Sequence, residues 1–191
     1  MAQNLEFDEL NVLEADVDEM VEDIGGIIED PNRTAILADI EDDLEELLIM
    51  AYVFGQDYVN RTLDTDLKAD TQKIEDAVFQ KIDGKDWRDR IRQHIEEGDL
   101  GMVQTVIRTE TERVYNEAVL DISEESGIPD LKKTWETMAD DRVRDAHTIL
   151  HGVKVPINSY FWVDGARALA PHGFGVPELD CNCRCRLRIS K

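Results

Sequence analysis

Apolar side chains recur at steps of three or four residues through the first two thirds of this sequence and stop doing so after Gly127 and Pro129. That change of period constrains the fold more than any other feature. A 3.6-residue period requires helices that bury one stripe, and alternation requires strands that bury one face. The chain is therefore expected to be α+β: a helical N-terminal region followed by a small mixed C-terminal domain with a short antiparallel sheet.

Five helical segments are legible. Leu10, Leu13, Val17, Met20, Val21, Ile24 and Ile28 mark the first, which Gly25-Gly26 and Pro31 should interrupt. Asn32 or Thr34 can cap a second along Ile36, Ile40, Leu44, Leu47, Leu48, Ala51 and Tyr52, ending near Gly55 or running on to Leu63. Leu67, Ile74, Val78 and Ile82 suggest a third, before Gly84. Trp87, Ile91 and Ile95 suggest a short fourth that Gly98 is placed to end. The longest runs from about Asp99 to Ser126, with Val103, Val106, Ile107, Val114, Ala118, Val119 and Ile122 on one face.

That last face has a gap. Glu110 and Thr111 occupy positions that should be apolar. A carboxylate aimed at a core must be paired, because an isolated buried ion costs several kcal/mol even after relaxation. Arg142 or Arg144 is the expected partner, unless Glu110 lies at the stripe's edge and reaches water.

Beyond Gly127, Lys133 to Thr137 has strand-forming residues, Asp140 to Leu150 reads as a short helix, and Gly152 to Phe161 as a β-rich stretch broken by Pro156. Residues 164–180 hold too many Gly and Pro for regular structure. From Cys183 to Ile189 the side chains alternate, with Cys183, Cys185, Leu187 and Ile189 on one face and Arg184, Arg186 and Arg188 on the other: a half-buried strand. The domains expected are an acidic amphipathic arm over 1–31, a helical region over 32–99 and a C-terminal domain over 100–191.

Charge narrows the partners. The net charge is −22, and residues 1–50 hold 17 Asp/Glu against the single Arg33. Such a chain is a poor general ligand for a phosphate backbone, so its strong partner should be protein. The acidic first helix is expected either to pack on its own domain or to dock on a larger assembly. The basic side of the last strand, Arg184, Arg186 and Arg188, is the one place where contact with DNA or an acidic partner is expected. No apolar run approaches the roughly 20 residues that span a bilayer, so no membrane partner is expected. Three cysteines within five residues do not suit a secreted disulfide framework and point to reduced thiols.

Those cysteines and the histidines form the one metal-competent set. In a strand, Cys183 and Cys185 point the same way, and their sulfurs could share a zinc ion with His147. A fourth ligand would come from His151, His172, Cys181 or water. The competing reading is inert core cysteines beside a packed histidine, with no cofactor. A zinc deaminase would need a glutamate close after its histidine, and His147 is followed by Thr148-Ile149. The chain is therefore read as a non-enzyme. A zinc-dependent enzyme or nuclease using this cluster, or an acidic adaptor or DNA mimic, are the alternatives.

Four elements in order carry a resemblance: Arg108-Thr109-Glu110 with Tyr115-Asn116; Trp135-Glu136-Thr137; Asp141 to His147 ending in Leu150-His151-Gly152; and Asn182-Cys183-Arg184-Cys185. Together they resemble the Mu protein F-like minor head proteins of tailed bacteriophages, over about residues 100–189. The resemblance implies a structural minor capsid protein of head morphogenesis, found in the virion at the capsid interior or portal vertex. Its implied partners are the portal protein and the major capsid protein, with contact to packaged DNA during packaging or ejection. No enzymatic activity is implied. Many relatives are more basic, which argues against a direct DNA role here. Glu110, Arg142, Arg144, His147 and the Cys183/Cys185 strand are expected to meet as a structural polar knot.

Overall fold

The structure is a computed structural model; it describes the backbone of residues 2–27 and 33–191 and the side chains of 12–26 and 37–191. The expected cap Asn32, together with Ile28 and Pro31, and the side chains of Leu10, Thr34 and Ile36 lie outside the described residues. Five helices come first: α1 (Ala2–Ile27), α2 (Arg33–Leu63), α3 (Thr71–Val78), α4 (Trp87–Glu97) and α5 (Leu100–Glu125). There follow β1 (Lys132–Glu136), α6 (Asp145–Leu150), β2 (Lys154–Pro156), β3 (Phe161–Val163), β4 (Ala166–Ala168), α7 (Pro177–Asp180) and β5 (Arg186–Ser190). The α+β class read from the change of period is the class observed.

The helix starts follow from capping chemistry. Asp70, Asp86 and Asp99 each accept a hydrogen bond from the backbone N–H three residues on, satisfying donors that the first turns of α3, α4 and α5 leave free. Gly98 ends α4 at φ 73°, in the left-handed region.

Gly55 is no stop signal. It lies inside α2 where that helix crosses α5, and a Cβ there would meet the Tyr115 carbonyl oxygen at 2.6 Å and the Ala118 Cβ at 2.8 Å. The glycine is required by close approach, and α2 runs on to Leu63. Gly25 and Gly26 do not interrupt α1, which continues to Ile27. Its apolar stripe, Leu13, Val17, Val21 and Ile24, is buried. The acidic arm therefore packs on α2 and α5 within its own chain.

Three further expectations are corrected. The third stripe is helical only over Thr71–Val78, because Asp83-Gly84, both at positive φ, turn the chain so that Ile82 bridges Lys85. The helix after Asp140 begins only at Asp145. Residues 164–180 carry regular structure after all: Asp164-Gly165 at φ 50° and 80° make a two-residue hairpin turn between β3 and β4, and Pro177 opens the single turn α7.

The main sheet has the order β2-β1-β5, all antiparallel, with Trp135 opposite Leu187. β5 is thus an edge strand, and its free edge is closed by side chains of the helices. Asn116 of α5 accepts from the Leu187 N–H at 2.9 Å and donates to the Cys185 carbonyl at 3.1 Å, as a neighbouring strand would. The Tyr58 hydroxyl of α2 accepts from the Ile189 N–H at 3.0 Å. One carboxamide and one phenol join the sheet to the helical layer.

Candidate functional site

The expected polar knot is two separate structures. Glu110 is fully buried and not at a solvent-facing edge of the α5 stripe, but its partners are Arg113 and Arg90. Arg113 Nε donates to Glu110 Oε2 at 2.9 Å, and the Arg90 guanidinium lies 3.0 Å from Oε1. Arg113 also donates to Gln80 at 2.8 Å and to the Ala77 carbonyl at 2.6 Å, and it pairs with Glu117. Burial raises the Glu117 carboxyl to about 7, against the pull of Arg113. This network ties α3 and α4 to α5 and leaves the C-terminal domain out. Arg113, one helical turn from Glu110, was the nearer candidate in the sequence. Arg142 is exposed and pairs with Asp140, while Arg144 donates to the Cys181 carbonyl.

The basic ridge is also neutralised. Arg184 makes a two-pronged bond to Asp140, both at 2.8 Å, and Arg188 meets Glu136 at 2.9 Å. Arg186 grips both oxygens of Glu112 on α5, at 3.1 and 2.6 Å, and comes within 3.5 Å of Glu14 on α1. Burial alone would weaken the Arg186 charge; the Glu112 carboxylate more than offsets it and drives the guanidinium pKa up. Arg186 docks β5 on α5.

The second structure is the cluster of His147, Cys183 and Cys185. Three elements deliver it. His147 sits on α6, which lies against β3. Cys183 and Cys185 lie on the run into β5, so the alternation of that segment turns both sulfurs inward. Asn182, at φ 52°, makes the preceding turn; its N–H donates to the Thr109 hydroxyl at 3.0 Å and its amide to Thr105 at 3.1 Å. The Arg108-Thr109-Glu110 run thus splits its work: Arg108 pairs with Asp18 of α1, Thr109 holds Asn182, and Glu110 binds α4.

In the cluster, His147 Nδ1 lies 3.5 Å from Cys183 Sγ and 3.4 Å from Cys185 Sγ. All three side chains are buried, and their ligand atoms lie within 4.8 Å of one another. The Cys185 N–H donates to Cys183 Sγ at 3.3 Å. Trp135 and Phe174 wall the site, the His147 ring lying 5.5 Å from the first and 6.2 Å from the second. The hydrogen bond with Cys183 holds the Cys185 thiol down to about 5 against the cost of burial, helped by His147, and the same bond together with burial pushes the Cys183 thiol up. Such a set has the donor chemistry that a soft cation requires.

None of the other expected ligands joins. His151 Nδ1 accepts from the Thr137 N–H at 3.2 Å, and His172 Nδ1 is 3.0 Å from the Asp180 carbonyl. Cys181 is half-buried with its thiol pushed up by burial. A small cavity of about 10 Å³, lined by Met138, Arg144 and Asn182, adjoins the two cysteines and His147. A larger cleft of about 800 Å³ between α1, the start of α5 and the 138–144 and 182–184 loops shares those lining residues and opens outward. The alternating pattern of residues 183–189 did not reveal this cleft, because α1 forms its far wall.

No curated protein and no solved structure matches the chain. Residues 71–188, from the first residue of α3 into β5, match the sequence model of the phage Mu protein F like proteins, reaching further towards the N-terminus than the motifs alone. The chain belongs to that family, and is a phage head-morphogenesis protein.

Proposed function

We propose that this protein is a minor structural component of a tailed-phage head that binds the portal ring during assembly. The observation that carries the reading is the family match over α3 to β5, which leaves α1 and most of the net negative charge outside the matched span. On α2, Ile49, Met50 and Val53 are exposed beside that acidic surface, a combination suited to a protein partner. Arg184, Arg186 and Arg188 each face a carboxylate, so they offer phosphate no free charge, and DNA is the weaker candidate.

Native mass spectrometry of the protein mixed with the portal protein, and separately with the major capsid protein, from the same phage tests this. A defined complex with the portal supports the reading; binding to the capsid protein alone, or to neither, overturns it.

A further inference from the structure

We propose that His147 Nδ1, Cys183 Sγ and Cys185 Sγ form a binding site for one thiophilic divalent cation of the zinc type, clipping α6 to the segment that enters β5.

The distances are those the ion would impose. A tetrahedral zinc with bonds of about 2.3 Å to sulfur and 2.0 to 2.1 Å to nitrogen sets N···S edges of about 3.6 Å. Nδ1 lies 3.5 and 3.4 Å from the two sulfurs, and the three ligand atoms fall within 4.8 Å of one another. Ligand atoms in mutual contact leave their lone pairs converging on a point that a cation would occupy. The backbone N–H of Cys185 donates to Cys183 Sγ, and donors of that kind stabilise a bound thiolate.

Two other observations point the same way. His147 is 2% exposed, and its hydrogen-bond contacts among the described residues run through Nδ1, the nitrogen aimed at the sulfurs. Among the described residues no further His, Cys, Asp or Glu joins the group. The fourth position therefore falls to the adjoining cavity of about 10 Å³, about the space of one water. The larger cleft beside it gives the ion a way in. Three protein ligands, with water in the fourth position, would tie α6, which carries His147, to the segment that enters β5 just after Cys185, beside the bond from Arg144 to the Cys181 carbonyl.

The test uses the reduced full-length protein, kept anaerobic and stripped with a chelator. Zinc is titrated in competition with a chromophoric chelator, and cobalt(II) is bound in parallel. One zinc per chain is expected, with a melting temperature raised by roughly 5–10 °C when free zinc is about a hundredfold above its Kd. Cobalt should give the intense visible bands of a tetrahedral site with thiolate charge transfer. Cys183→Ser/Cys185→Ser should lose the zinc and the bands. His147→Cys should keep the ion and strengthen the charge-transfer band, a result that unfolding cannot mimic. Sub-stoichiometric zinc, a weak octahedral cobalt spectrum from carboxylates, or full binding by the double-serine variant would each overturn the proposal. The portal experiment is independent of all of these.

Discussion

Lys133 is the most exposed to test of the buried residues in energetic terms. It is fully buried on β1, its Nζ has no hydrogen-bond partner, and the Phe161 ring lies 5.7 Å away. Burial lowers its pKa from 10.5 to about 8. Because the folded state disfavours the charged form, the penalty is full below pH 8 and is relieved as pH rises towards 10.5. Lys133→Met should therefore stabilise the protein by about 1–3 kcal/mol at pH 7, and the gain over wild type should shrink in urea titrations above pH 8. Glu110→Ala has the opposite sign: it takes the carboxylate from Arg90 and leaves Arg113 to Glu117, Gln80 and the Ala77 carbonyl, and should cost about 1–3 kcal/mol, whereas Arg142→Ala and Arg144→Ala should leave that network intact. At this scale the sequence showed that Glu110 needed a cation, because a carboxylate interrupts an apolar stripe. It did not show which one, because Arg90 approaches only through the packing of α4 on α5. The His147, Cys183 and Cys185 set was legible, since alternation places both sulfurs on one face and few other soft ligands exist.

At the scale of elements, Asn116 is the residue on which the sheet and the helices depend together. Replacing it with Ala leaves the Cys185 carbonyl and the Leu187 N–H without partners in a buried place, and should lower stability by about 2–4 kcal/mol. Hydrogen exchange should show the loss first at Leu187. Gly55→Ala should destabilise α2 against α5 although Ala is the better helix former, because its Cβ would meet backbone at 2.6 Å. Circular dichroism during thermal unfolding checks both variants. Helix existence was readable from periodicity; the starts of α3, α4 and α5 rest on Asp caps that the apolar stripes did not mark. Gly55 and Gly25-Gly26 misled because a glycine inside a helix looks the same in sequence whether it ends the helix or admits a neighbour. The Asp164-Gly165 hairpin was hidden among surrounding breakers, and the sheet order rests on pairings 50 residues apart that no local pattern encodes.

Taken as a whole, the molecule brings its acidic first helix against its C-terminal part, with Glu14 of α1 within 3.5 Å of Arg186 on β5. His172 is buried and held at about pH 4 by desolvation. Its contribution to stability is full above the ordinary histidine pKa of 6.5 and is lost as pH falls from there to about 4. His172→Gln should flatten that part of the stability profile, as measured by melting temperature against pH. The α1 ion pairs Asp18–Arg108 and Glu14–Arg186 have exposed partners and are screened by salt. The mixed architecture was fully legible from the change of period; the folding of the acidic arm back onto α5 was not, because its stripe suits an intramolecular and an intermolecular partner equally. The closure of the β5 edge by Asn116 and Tyr58 has a further consequence. A strand edge with free N–H and carbonyl groups is a template for another copy, and the opposite edge of this sheet, β2, is three residues long and ends at Pro156. With one margin occupied and the other cut short, the three-stranded sheet offers a second copy little edge to extend.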